Sequence, residues 1–206
     1  MNIFDVHRNK QNKNFVIKNG GLELEVFADI IETCKEIPFV GSIIKLGTVA
    51  INYMDWRYVA KLSKFLESSE GLSEDVVNEY ISSLEQDDFE RISAYLKHLL
   101  YIAEEDEKAR IMGMIYKARL LNRINDEMML RLCSIVNNSF LADLKKLPLY
   151  VHKSNLCTLE AYNFINWGLI DSFVGGIWID EPSLKLNEVG YTLYKILEIE
   201  GWYKCK

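Results

Sequence analysis

Acidic side chains occur as adjacent pairs and runs, at Asp87-Asp88 and at Glu104-Glu105-Asp106-Glu107. Carboxylates held together can do acid–base or metal chemistry, but only if they face one point in space. Each of these sets instead stands at the start of an apolar helical pattern. Capping and the positive end of the helix dipole account for acids there. The three histidines are His7, His98 and His152, and none follows a glutamate by three residues, the Glu-x-x-His spacing used by di-metal bundles. The four cysteines, Cys34, Cys133, Cys157 and Cys205, are scattered without a C-x2-C pair. They read as reduced thiols of a cytoplasmic protein, with Cys205 exposed near the C-terminus. No serine or cysteine stands in a nucleophile elbow, and no glycine-rich loop could cradle phosphate. The residue types therefore predict no catalytic group, no metal and no cofactor, and a non-enzymatic protein.

The cations make a sharper pattern. Lys108, Arg110, Lys117, Arg119 and Arg123 fall on one predicted helix, and Arg119 and Arg123 share a face because they are four apart. Lys108, Lys117, Arg119 and Arg123 are the candidate basic patch for nucleic acid or an acidic partner. Residues 71–107, however, carry eleven acids against Arg91 and Lys97 alone. In a bundle those acids are expected to lie beside the basic helix and neutralise it. The net charge of −6 also repels phosphate at long range, so DNA is a disfavoured partner.

Lys45, Arg57, Lys61 and Lys64 stand against Asp55 alone within residues 39–65, which begin with the longest apolar stretch of the chain. That stretch, Phe39 to Met54, is interrupted by Lys45 and Asn52 and falls short of the ~20 apolar residues needed to cross a bilayer. Its wide apolar face suits a central core helix, with Ile43, Ile44, Val49 and Ile51 inside. Membrane-surface binding through 38–65 is the disfavoured alternative. The first residues, MNIFDVHRNK, lack the apolar run of a signal peptide.

Helices must position these groups. Apolar steps of three and four run from Leu22 to about Glu36, and Pro38 opens the apolar helix. That pattern continues through Trp56, Val59, Leu62, Phe65 and Leu66 to a stop near Gly71. Ser73 is predicted to cap the next helix, Asp87 or Asp88 the one after, and Asn125-Asp126-Glu127 a later one that runs or bends on to Leu147. Short connections imply antiparallel neighbours. Residues 1–21 read as a polar arm and 22–147 as a helical bundle.

After Pro148 the texture changes. Asn155 or Thr158 is predicted to cap a helix to Trp167 whose outward positions are Thr158, Glu160, Asn163 and Asn166. Trp167-Gly168-Leu169-Ile170 follows, then strand-like runs at 170–174 and 177–180 around Gly175-Gly176, then Leu186-Asn187-Glu188-Val189-Gly190-Tyr191 opening a last helix. This order resembles the tail of winged-helix domains, over roughly residues 148–200. The resemblance implies a small α+β module at 148–206 in which the hairpin is the wing. In DNA-reading members of that family the first helix enters the major groove, which here would offer Asn163 and Asn166 but no lysine or arginine. The wing tip carries Phe173 and Trp178, apolar residues suited to packing or to protein contact. The helical part loosely resembles bacterial prophage- and defence-associated proteins.

The resulting expectation is a mainly α protein, a helical bundle followed by a winged-helix-like module. Its function is expected to be regulatory or protein-binding, in phage or mobile-element biology. Phe173, Trp178, Asn163 and Asn166 are its partner-binding candidates, and another protein or a second copy of the chain is the partner. A DNA-binding transcriptional regulator and a membrane-associated abortive-infection-type effector are the alternatives.

Overall fold

The computed structural model describes residues 56–68, 72–152, 158–171 and 184–204. The arm at 1–21, the predicted helix at 22–36, the apolar run at 38–55, and Phe173 and Trp178 lie outside the described residues. Within them the chain is mainly helical. Eight α-helices follow one another: α1 (Trp56–Glu67), α2 (Glu74–Ser82), α3 (Gln86–Ile102), α4 (Asp106–Leu120), α5 (Asp126–Asn138), α6 (Leu141–Leu144), α7 (Leu159–Asn166) and α8 (Glu188–Ile199). Single 3-10 turns stand at Leu147–Tyr150 and Trp202–Lys204.

Local chemistry sets several of the helix starts. Ser73 accepts a hydrogen bond from the Val76 amide, Asn125 from the Met128 amide and Asn187 from the Gly190 amide, so each occupies the capping position. For α3 the cap is Glu85, without a side-chain bond, and Asp87 and Asp88 lie in the first turn, where the dipole favours them. The pattern expected to continue from α5 to Leu147 breaks at Ser139. That residue is extended, and its hydroxyl turns back onto the Ile135 carbonyl.

α4 is the centre. It packs against α1, α5, α8 and α2, and ten of its fifteen residues are buried. α1 can approach it closely because Gly113 has no side chain. A Cβ there would stand 2.2 Å from the Phe65 carbonyl oxygen. The Ser68 hydroxyl bridges the same crossing, donating to the carbonyl of Lys64 or of Arg110 at 3.1 and 2.8 Å.

The winged-helix expectation is overturned. The described residues contain no strand; Ile170 and Leu186 form an isolated antiparallel bridge. Residues 158–171 and 184–204 are instead built into the helical core. Phe164, Leu169, Leu193, Leu197 and Trp202 belong to the same buried cluster as Ile111, Met112 and Ile115 of α4. Gly168 does stand in a turn and Asn187 at a helix start, but such signals do not specify what the turns connect; the Gly175-Gly176 turn lies outside the described residues. The Gly190 Cβ position, 2.2 Å from the Leu169 carbonyl oxygen, shows how closely α8 begins against the turn after α7.

Candidate interaction surfaces

The four cations of the predicted basic patch are all occupied within the chain. Lys108 is 4% exposed and donates from Nζ to the Asn137 carbonyl at 2.9 Å, in the last turn of α5. Its nearest carboxylate, on exposed Glu104, is 4.0 Å away. Lys117 pairs with Glu200 at 2.9 Å, and Arg123 reaches the other oxygen of Glu200 at 3.8 Å. Arg119 makes a two-pronged bond to Asp126, 2.8 Å to Oδ1 and 3.1 Å to Oδ2, and also donates to the Asn122 side chain. Its guanidinium lies 4.5 Å from the centre of the Tyr80 ring, and the Tyr80 hydroxyl donates to Asp126 at 2.6 Å. Burial pushes the Asp126 carboxyl up, but the hydrogen bonds from Arg119 and Tyr80 outweigh it and leave it below its ordinary value. Burial and the same carboxylate push the Tyr80 phenol well up.

Lys61 repeats the role of Lys108. It is 7% exposed, and its Nζ donates to the Tyr101 carbonyl at 3.0 Å, in the last turn of α3. Neither α3 nor α5 has a basic residue in its own last turn. A lysine from a neighbouring helix thus meets each helix's orphan carbonyls and negative dipole end. Lys64, the other described lysine of the predicted membrane-facing stretch, pairs with Glu67 at 2.9 Å.

The partners of the basic helix are mostly not the acids of 71–107. Asp126 and Glu200 take the main pairs; from the earlier segment Glu107 binds Arg110, and Glu104 stands at its long distance from Lys108. Asp75, Glu79, Glu85, Asp87, Glu105 and Asp106 are exposed and form no ion pair with a described residue. The acid surplus of α2, α3 and the turn before α4 therefore faces solvent.

α3 buries Ile92, Ser93, Leu96, Leu99 and Leu100. Its opposite side exposes Asp87, Glu90, Arg91, Ala94, Tyr95, His98, Tyr101 and Ile102. At 100° per residue these fall within an arc of about 140°. Tyr101 is 67% exposed and Ile102 42%.

The segment from Phe140 to Tyr150 runs antiparallel to α7 through four rungs. They are the rings of Phe140 and Trp167, Asp143 to Asn163 at 2.8 Å, Lys146 to Glu160 at 2.8 Å, and the hydroxyls of Tyr150 and Thr158 at 2.9 Å. Of the four outward positions expected on α7, only Asn166 is exposed. Glu160 and Asn163 serve as rungs, and Leu159 and Tyr162 point out instead, at 76% and 57% exposure. The buried side is set by Ala161 and Phe164, which meet the core. Next to the start of α8, Val151, His152, Lys185, Asn187, Glu188 and Tyr191 line an open depression of about 440 Å³.

Among the described residues no group of His, Cys, Asp and Glu is placed to hold a metal ion, and no helix is long and apolar enough to cross a membrane. The chain matches no protein-family model, no curated protein and no solved structure.

Proposed function

We propose that this chain acts without catalysis, by binding another protein through the outer face of α3. The observation that carries this reading is the exposed run Ala94, Tyr95, His98, Tyr101 and Ile102, on a helix whose other face is fully engaged in the core. Tyrosines and an isoleucine at helical spacing on an otherwise charged surface are what an interface centre requires. The DNA alternative has less support, because Lys108, Lys117, Arg119 and Arg123 already have partners within the chain. The membrane alternative is likewise weakened in its described part, since Lys61 and Lys64 are both engaged.

Photo-crosslinking tests the assignment. A crosslinkable residue is placed at His98, at Tyr162 on α7, and at exposed Glu127 as a control, in the full chain expressed in its native host. A discrete protein adduct is expected from position 98 alone, lost when Ile102→Asp is added. Adducts of equal yield from all three positions, or from Tyr162 only, would reject α3 as the surface.

A further inference from the structure

We infer that the segment docking on α3 is a basic amphipathic helix of a partner protein, an inference that rests on the protein-binding reading above. Two features, on α3 and the turn that follows it, define its occupant. The apolar stretch Ala94–Ile102 supplies anchoring surface. Acids bracket it along the chain, Asp87 and Glu90 before it and Glu104 and Glu105 after it, and all four are exposed. The opposing bases nearby are Arg91, paired with Asp88 at 2.8 Å, half-buried Lys97, buried Lys61, whose Nζ is on the Tyr101 carbonyl, and buried Lys108, which bonds the Asn137 carbonyl and stands 4.0 Å from Glu104.

The sequence alone would let the cations of α4 cancel these acids. The structure directs those cations to Asp126, Glu200 and the end of α5 instead. What remains is an apolar centre with net acidic flanks, Asp87, Asp88 and Glu90 against Arg91 on one side and Glu104 and Glu105 on the other. Nucleic acid and anionic lipid are repelled by those flanks, and so is a second copy presenting the same face. A helix with leucine-type residues on one side and lysine or arginine beside them satisfies both features. From Asp87 to Ile102 the face is about 22 Å long at 1.5 Å per residue, which matches a partner helix of roughly 15 residues.

The test uses the full chain and three fluorescent peptides of about 18 residues. They are a leucine/lysine amphipathic helix, its leucine/glutamate counterpart, and a leucine/lysine peptide of the same composition with the apolar face scrambled. The amphipathic leucine/lysine peptide is expected to bind, and the other two to bind at least about tenfold more weakly. Asp87→Asn, Glu90→Gln and Glu105→Gln together should weaken it about tenfold, and so should Tyr101→Ser with Ile102→Ser; circular dichroism confirms that both variants stay folded.

If only the apolar substitutions matter and the leucine/glutamate peptide binds equally, the basic class is wrong and the protein-binding reading stands. If neither set matters, both fail. If only the acid substitutions matter, the attraction is diffuse and no docking face exists. Two further results would also overturn the proposal. One is a dimer by light scattering that Tyr101→Glu returns to monomer, which makes a second copy the occupant. The other is a fall of several degrees in the melting temperature of Tyr101→Glu without peptide, which makes the chain its own occupant.

Discussion

Asp126 joins three helices through one carboxylate: it lies on α5, accepts from Arg119 on α4, and accepts from Tyr80 on α2. Its carboxyl is held below the ordinary 3.8, so the folded state binds a proton there less readily than the unfolded chain does. The resulting stabilisation is complete above the unfolded value and is lost as pH falls through the lower folded value. Acid titration of the unfolding free energy should therefore steepen below about pH 4. Asp126→Asn should flatten that part of the curve and cost about 1–3 kcal/mol at pH 7. A mutant with the parent's stability and acid limb would show that the cluster contributes nothing. The caps at Ser73, Asn125 and Asn187 were legible because each acts within three residues of itself. The partners of Lys108 and Lys117 were not, because they lie 29 and 83 positions away. Nothing local distinguishes a lysine that reaches a distant helix end from one that reaches water.

At the scale of the element, the sequence marked α4 as a basic helix with pairing partners inside the chain, but not as the centre of the fold. A helix buried on nearly every side shows no single apolar stripe wide enough to mark it as central. The cations reach out on long stems, Lys117 and Arg119 to carboxylates at the rim of the core and Lys108 to the buried end of α5. What singles out α4 is Gly113, and that position is testable. Alanine is the better helix former by up to about 1 kcal/mol. Here its methyl would press on the Phe65 carbonyl oxygen, a backbone atom that cannot swing aside. Gly113→Ala should lower stability by about 1–3 kcal/mol in urea titration. A neutral or stabilised Gly113→Ala would mean that α1 and α4 are farther apart than described. On α7 the length and start of the helix were readable from its pattern, and its orientation was not. Leu159 and Tyr162 resemble core residues, but Ala161 and Phe164 hold the core side of that helix.

Across the whole molecule, the change of texture after Pro148 marks no break in packing. α8 lies on α4, Lys117 and Arg123 meet Glu200, and the Trp202 indole donates to Glu107. Trp202→Ala should therefore cost about 3–5 kcal/mol in a single transition seen alike by near- and far-ultraviolet circular dichroism. Two separated transitions would instead indicate a C-terminal unit that melts by itself. The mainly helical character of the described residues was legible from the three-and-four stepping of apolar residues. The winged-helix reading failed because turn-forming residues report local backbone geometry, and how the helices on either side pack is decided by contacts far away in sequence.

The central place of α4 has a consequence in time. Its basic end waits for Glu200, and Glu107 at its start waits for Trp202, partners that follow by 83 and 95 residues. At 5–20 residues per second a ribosome takes on the order of ten seconds to make that stretch. Throughout it the nascent chain carries α4 with the side later covered by α8 still bare. The protein's most exposed moment is thus the interval of its own synthesis, and a chaperone that shields α4 then would be occupying the place of α8.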